Sequence, residues 1–441
     1  MRILIVSLLS LLPVTASFAQ QTDARGGWFR KEKLEIRTNY RDSHEERFPL
    51  KFPFPDGFLP VGQTVGFEET VDGGHHLELS VVDLHLDLGY GKNFLAHAKL
   101  RGVDKYKQNP TSSDRKLDAD ELYLRFGQKP EVLARPEGTS VFFQIGKAPK
   151  MERQPVRLLE SYGLASTAFS RLEDIQAMAG GTFGRNVYWR FQASSGNPMF
   201  FRDTNALAGD NGIPALLQKN PDPRYKSGFP ILYNAKVTSF SLKSDHLQLG
   251  EGAGYRWQRD DESAGFDVLL FHYRRMMADH VTLFGTFYGG DLDLLTDPFN
   301  NGPPFVGRTK EETGGRLYAE WGGLTTNAQF TKQDIAGLHR QGWELETGYE
   351  FRFRGGPGAA IGLLFPSIQP SLRFSGLENR FRGPAEFVAP SIWWNWIKFD
   401  YGVRIGLTRY SDVTVERAKH NVAAPRKLNL DETLVTWRIR V

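Results

Sequence analysis

The chain has 441 residues, with 55 basic and 51 acidic side chains and a formal charge of +4 at neutral pH. Its basic residues are dispersed without a long run, which argues against a nucleic-acid partner. Cysteine is absent, so disulfides, thiolate metal sites and a cysteine nucleophile are excluded.

Met1-Arg2 leads an apolar run from Ile3 to Val14 and a polar stretch ending Ser17-Phe18-Ala19. One positive charge, a short apolar run and small residues before the cleavage point predict a signal peptide over 1–19. The alternative, an N-terminal anchor, needs a longer apolar run than this one. Residues 20–441 read as one domain, without a repeat or a composition break. Beyond Ala19 no stretch approaches the roughly 20 apolar residues of a transmembrane helix. Mean hydropathy is −0.41, a value that a soluble protein and a barrel with alternating strands both produce.

Period-2 alternation begins at Leu34 and recurs to the C-terminus. It predicts strands at 34–41, 76–90, 94–103, 118–126 and 140–146, with a phase shift between Val81 and Val82 that implies a β-bulge. Further strands are predicted at 178–183, 186–193, 233–242, 247–257, 266–274 and 281–288. The last group covers 316–321, 324–331, 342–353, 369–374, 397–407 and 435–441. In 342–353, Trp343, Leu345, Thr347, Tyr349, Phe351 and Phe353 share one face, and Glu344, Glu346, Glu350 and Arg352 the other. A helix would scatter these charges around its axis, whereas a strand aims them one way.

Gly91-Lys92-Asn93, Gly322-Gly323, Ser244-Asp245 and Ala278-Asp279 read as tight turns, whereas 194–230 and 292–315 read as long polar loops. These features predict an all-β fold, a transmembrane antiparallel barrel of about 16 strands (roughly 14 to 18) with short periplasmic turns and long external loops. A soluble sandwich, β-helix or propeller is the competing architecture.

One face of each strand is assigned to the lumen. That places Arg37, Lys99, Arg101, Arg125, Arg190, Arg316, Glu344, Glu346, Glu350, Arg352, Arg373, Lys398, Asp400, Arg404, Arg438 and Arg440 as pore-lining candidates. Their modest arginine excess favours anions, unless the charges pair across strands and only keep the wall wet. Segment 147–176 lacks alternation, and Leu158, Leu159, Tyr162 and Leu164 fit a short helix there. Its Lys147, Lys150, Arg153, Arg157 and Arg171 are constriction candidates if the segment folds inward; an external loop is the other reading.

Asp203, Asn205, Asp210 and Asn211 in 200–212 carry oxygen ligands without EF-hand spacing, so turn chemistry explains them better than a metal. No HExxH, GxSxG or P-loop occurs, and adjacent His75-His76 cannot place both rings on one side of a strand. No catalytic residue, cofactor or metal is expected, and the chain is read as not an enzyme.

The runs DADELYLRFGQK, VFFQIGKAPKMERQP and RLEDIQAMAGGTFGRNVYWRFQASSGNP resemble bacterial outer-membrane porins of the phosphate-selective O/P type. Glu121, Tyr123, Arg125, Gly146, Lys147 and Pro149 carry the likeness, which covers about the middle quarter of the chain. The resemblance implies a 16-stranded barrel, often a homotrimer, passing anions or small solutes. The chain departs from that pattern in lacking an arginine ladder and in ending at Val441, where an aromatic residue is usual. The expected function is passive diffusion of small hydrophilic solutes, with weak anion (phosphate-type) preference. The expected location is the bacterial outer membrane, in contact with lipid and lipopolysaccharide. The alternatives are a barrel enzyme of lipase or protease type and a surface-binding barrel.

Overall fold

A computed structural model of the chain describes residues 27–43, 47–50, 66–69, 74–102, 118–133, 138–170, 173–196, 215–216, 226–227, 233–234, 247–277, 280–284, 290–293, 306–353, 365–380, 395–423 and 427–441. Segment 1–19, Arg171, 200–212 and the turns expected at Ser244-Asp245 and Ala278-Asp279 lie outside the described residues.

Sixteen antiparallel strands close into one barrel. They are β1 (Trp28–Ser43), β2 (Gly74–Tyr90), β3 (Phe94–Gly102), β4 (Asp118–Gly127), β5 (Ser140–Pro149), β6 (Glu173–Phe183), β7 (Val187–Ser194) and β8 (Gln248–Gln258). Then follow β9 (Ala264–Met276), β10 (Thr309–Trp321), β11 (Leu324–Ile335), β12 (Leu338–Tyr349), β13 (Ser367–Asn379), β14 (Asn395–Thr408), β15 (Ser411–Ala423) and β16 (Lys427–Arg440). Each pairs with its successor, and β16 returns to β1, where Glu35 faces Arg440 and Ser43 faces Glu432. Leu34 and Val441 exchange backbone bonds of 2.8 and 2.9 Å at this seam. Closure leaves no strand edge to be satisfied by water, which hydrocarbon lacks.

The alternation sorts side chains as the sequence predicts. Leu270, Leu249 and Phe191 are 64%, 60% and 54% exposed on the outer wall. Such a wall would aggregate in water; in a bilayer it is the lipid-facing belt. Trp189, Trp343 and Trp437 lie on outward rows. Trp28, Tyr90, Phe94 and Phe126 meet at one rim, with ring centroids 5.4 to 6.1 Å apart. That rim also holds the short connections 91–93, 184–186, 322–323 and 409–410 and both ends of the closed sheet, the pattern of a periplasmic mouth.

Several expectations are corrected. Of the strands expected at 233–242 and 281–288, residues 235–242 and 285–288 lie outside the described residues, and the described remainder does not pair with the wall. Among the described residues, Tyr233–Asn234, His280–Phe284 and Gly290–Asp293 form a separate small sheet. The wall instead includes β15, whose outward row mixes Arg417, Lys419 and Asn421 with Val413 and Val415, so it offers no apolar alternation to read. Strand β12 starts at Leu338, before the expected Gly342, and Glu350 separates it from the short Phe351–Arg352 extension. The bulge near Val81 is present: Arg37 faces Val81 and Thr38 faces Leu79, leaving Ser80 as the extra residue. The opposite rim holds most long connections, yet Ala336-Gly337 joins β11 to β12 tightly, with φ of 51° and 91° at its central residues.

Candidate functional site

Segment 150–170, between β5 and β6, folds into the barrel and lies against the inner faces of β10 to β16. Its apolar residues Leu158, Leu159, Leu164, Ala165, Ala168 and Phe169 are buried. The helical piece runs over 164–170 with its wide turn at Ser166–Ser170, so of the residues expected to build it only Leu164 lies within it. Carboxylates of the wall hold the segment's backbone. Glu416 accepts from the amides of Glu160 and Ser161, both at 2.7 Å. Glu346 accepts from Leu159 N at 3.0 Å, and Glu344 from Ser166 N at 3.0 Å. A carboxylate facing successive N–H groups is a strong pairing, worth about 1.5–3 kcal/mol for each charged hydrogen bond.

Cations of the wall take the segment's carbonyls. Arg373 Nη1 donates to Ser161 O at 3.0 Å and meets Glu346, while Nη2 of the same guanidinium meets Asp400. Lys398 Nζ donates to Tyr162 O at 2.6 Å, Arg404 Nη2 to Arg157 O at 3.3 Å, and Arg316 Nη1 to Arg153 O at 3.2 Å. Gly163 sits so close to the wall that a Cβ there would lie 2.0 Å from the Glu344 carboxylate.

Glu160 is the segment's own anchor. Its oxygens lie 2.9 Å from Arg438, 3.2 Å from Arg404, 3.5 Å from Arg37 and 3.6 Å from Arg157. Burial opposes the charge on this carboxyl, but Arg438, Arg37, Arg157 and Arg404 outweigh it and hold it well below the usual carboxylate range. Lys150 shows the mirror case. Burial works against its ammonium, but Glu152 and Glu312 raise it above the ordinary lysine range.

The pore-lining candidates therefore divide by their cover. Glu344, Glu346, Arg373, Lys398, Asp400 and Arg438 face inward, but the inserted segment buries them, so they seat it and do not meet water. Strand parity reads orientation and is blind to a segment laid over the wall. Arg37, Lys99 and Arg101 are part-exposed, Lys99 and Arg101 pairing with Asp83 and Asp120. Glu350, Arg352, Arg404 and Arg440 line a cavity of about 600 Å³ at the periplasmic mouth. Arg125, Arg190 and Arg316 line a larger one of about 960 Å³ beside the inserted segment. Among the constriction candidates, Lys150, Arg153 and Arg157 lie in the inserted segment. Lys147 does not: it shares the outward row of β5 with Ile145, pairs with exposed Leu122 and donates to Ala119 O at 2.7 Å.

Sequence reasoning missed Glu416, because it missed β15, and also Glu160, Lys129 and Arg256. Arg256 was hidden because its row on β8 reads Gln248, Gly250, Gly252 and Gly254. Those glycines make room inside the barrel; a Cβ on Gly254 would lie 2.1 Å from the Tyr188 ring.

No protein-family model matches the chain, and no curated protein matches its sequence. Solved structures do match. The outer membrane channel DcaP of Acinetobacter baumannii superposes with a TM-score of 0.52 at 8% identity, covering 94% of this chain and 98% of that one. OprB of Pseudomonas putida gives 0.50 at 8% identity, covering 93% and 94%. At such identities the likeness is one of fold. A closed wall, an apolar outer belt and the barrel architecture of these proteins place the chain in the bacterial outer membrane.

Proposed function

We propose that the chain is a passive outer-membrane channel for small hydrophilic solutes, with a weak preference for anions, and not an enzyme. The observation that carries this reading is the inserted segment seated on one side of a sixteen-stranded wall, with a cation-rich cavity left beside it. A barrel of this size has room for water, and a segment folded inward narrows it. The similarity to an outer membrane channel supports the same reading. A homotrimer and contact with lipopolysaccharide extend the proposal, as does cleavage after Ala19 to leave one barrel domain over 20–441.

The test is a planar-bilayer recording in a KCl gradient. Wild type gives a reversal potential of anion-preferring sign. Arg125→Glu with Arg190→Glu moves it toward cations, because both side chains line the open cavity; Arg404 is unsuited to this purpose because it also holds the segment. The shift shrinks at 1 M salt, where the Debye length is about 3 Å. Cation preference in the wild type overturns the anion reading, and an absence of conductance overturns the channel.

A further inference from the structure

The 960 Å³ cavity is bounded by β4, the turn after it, β7 to β10 and the inserted segment. Its volume falls within the roughly 300–1,000 Å³ of small-molecule sites. Its cations are not equivalent. Lys150 is paired with Glu152 and Glu312, Arg153 with Glu173, and Arg316 with Asp267 at 2.5 Å. Asp267, which also lines the cavity, accepts from the Tyr188 hydroxyl at 2.7 Å as well, so its charge is shared between Arg316 and that hydroxyl. Arg125, Lys129 and Arg190 have no carboxylate partner within ion-pair distance among the described residues.

Arg190 is only 6% exposed. Its guanidinium is clamped between Phe142 and Tyr188, 4.8 and 4.9 Å from their centroids, and Nη1 donates to Trp189 O at 3.0 Å. A charged group so fixed is organised in advance, because little side-chain entropy is left to lose when an anion arrives. Lys129 lies near the Phe142 ring, 5.6 Å from its centroid, with Gln144 Oε1 3.5 Å away. Burial, with the guanidiniums of Arg190 and Arg125, lowers its ammonium to about 7. Like charges held together in this way favour an anion between them.

The remaining lining sets the rest of the ligand. Val132, Leu133, Met151, Met178 and Leu269 offer apolar contact. Glu131, Asp260 and Glu262 also line the cavity and work against a multiply charged ion. We propose that this cavity is a binding site for a monocarboxylate carried on an apolar or aromatic body, with Arg125, Lys129 and Arg190 receiving the carboxylate. The proposal rests on the channel reading for the ligand's route, but binding itself needs no conduction.

Benzoate, acetate and inorganic phosphate are the probes, each added at pH 6.5 to the refolded barrel in a bilayer and, separately, by calorimetry in detergent. Benzoate reduces the KCl current at concentrations at least tenfold below those at which acetate or phosphate acts. Arg190→Gln and Lys129→Gln each weaken the benzoate effect tenfold or more while keeping the heat-modifiable gel shift of a closed barrel. Equal action of benzoate and acetate overturns the apolar-body assignment. Stronger action of phosphate overturns the monoanion assignment, and undiminished benzoate binding in both folded variants overturns the site. If the wild type conducts no ions, the channel reading fails, while calorimetry with benzoate still decides the site.

Discussion

At the scale of single residues, the seat of the inserted segment depends on charges meeting backbone groups. Glu416 accepts from two successive amides, a role that a neutral amide side chain fills poorly because its NH2 group faces another donor. Glu416→Gln therefore leaves a buried N–H without an acceptor, at a cost of about 1–3 kcal/mol. The expected result is a larger and noisier single-channel conductance with the barrel intact. Conductance and noise equal to wild type would show that Glu416 does not hold the segment. Lys129 gives a pH dependence of opposite character. Its ammonium is pushed from the ordinary 10.5 to about 7, so the charged form is disfavoured in the folded state. That penalty is fully present below pH 7 and is relieved as pH rises toward 10.5, where the unfolded chain also loses its proton. For an anionic ligand the sign is reversed: the attracting charge is present below pH 7 and lost above it. Benzoate affinity should fall as pH rises through 7, and Lys129→Met should flatten that profile; a slope that persists in the variant would assign it to another group.

At the scale of elements, strands were legible wherever an apolar row alternated with a polar one, as in β12, where Trp343 and Leu345 alternate with Glu344 and Glu346. β15 was not, because its outward row carries Arg417 and Lys419, and alternation loses its contrast when both faces are charged. The described ends of the strands expected at 233–242 and 281–288 depart from the wall for a different reason. Tyr233–Asn234 and His280–Phe284 are extended and paired, yet to one another and not to the wall, and periodicity carries no information about the partner. The composition of segment 147–176 marked it as different, but its inward course comes from pairings such as Glu160 with Arg438, far apart in sequence. β8 illustrates how an element can serve the interior by having little side chain. Gly254→Ala would place a Cβ 2.1 Å from the Tyr188 ring, and overpacking of this kind costs about 1–3 kcal/mol. Tyr188 holds Asp267, so the change should lower the urea midpoint of the folded barrel and disturb the cavity with it. An unchanged midpoint would mean that the ring moves aside freely.

At the scale of the whole molecule, closure of the wall and seating of the segment share residues. The seam between β1 and β16 runs from Glu35 facing Arg440 to Ser43 facing Glu432. On its inner side Arg37 and Arg438 face each other, and both reach Glu160 in the segment. Two positive groups opposed across a seam repel, and Glu160, together with Glu35 beside Arg37 and Asp412 beside Arg438, offsets that repulsion. The segment therefore braces the junction where the first and last strands meet, and removing its charge should be felt there. Glu160→Gln should leave a closed barrel in the outer membrane, because the backbone ladder of the seam is untouched, but one whose heat-modifiable mobility is lost at a lower temperature. Deleting 434–441 should abolish the shift altogether, because β1 and β15 then present unpaired backbone to hydrocarbon, where each unsatisfied group costs several kcal/mol. The comparison separates two causes of closure. If Glu160→Gln matches wild type while the deletion fails, the ladder alone closes the wall. If both lose the shift at every temperature, the segment is needed before the last strand can dock.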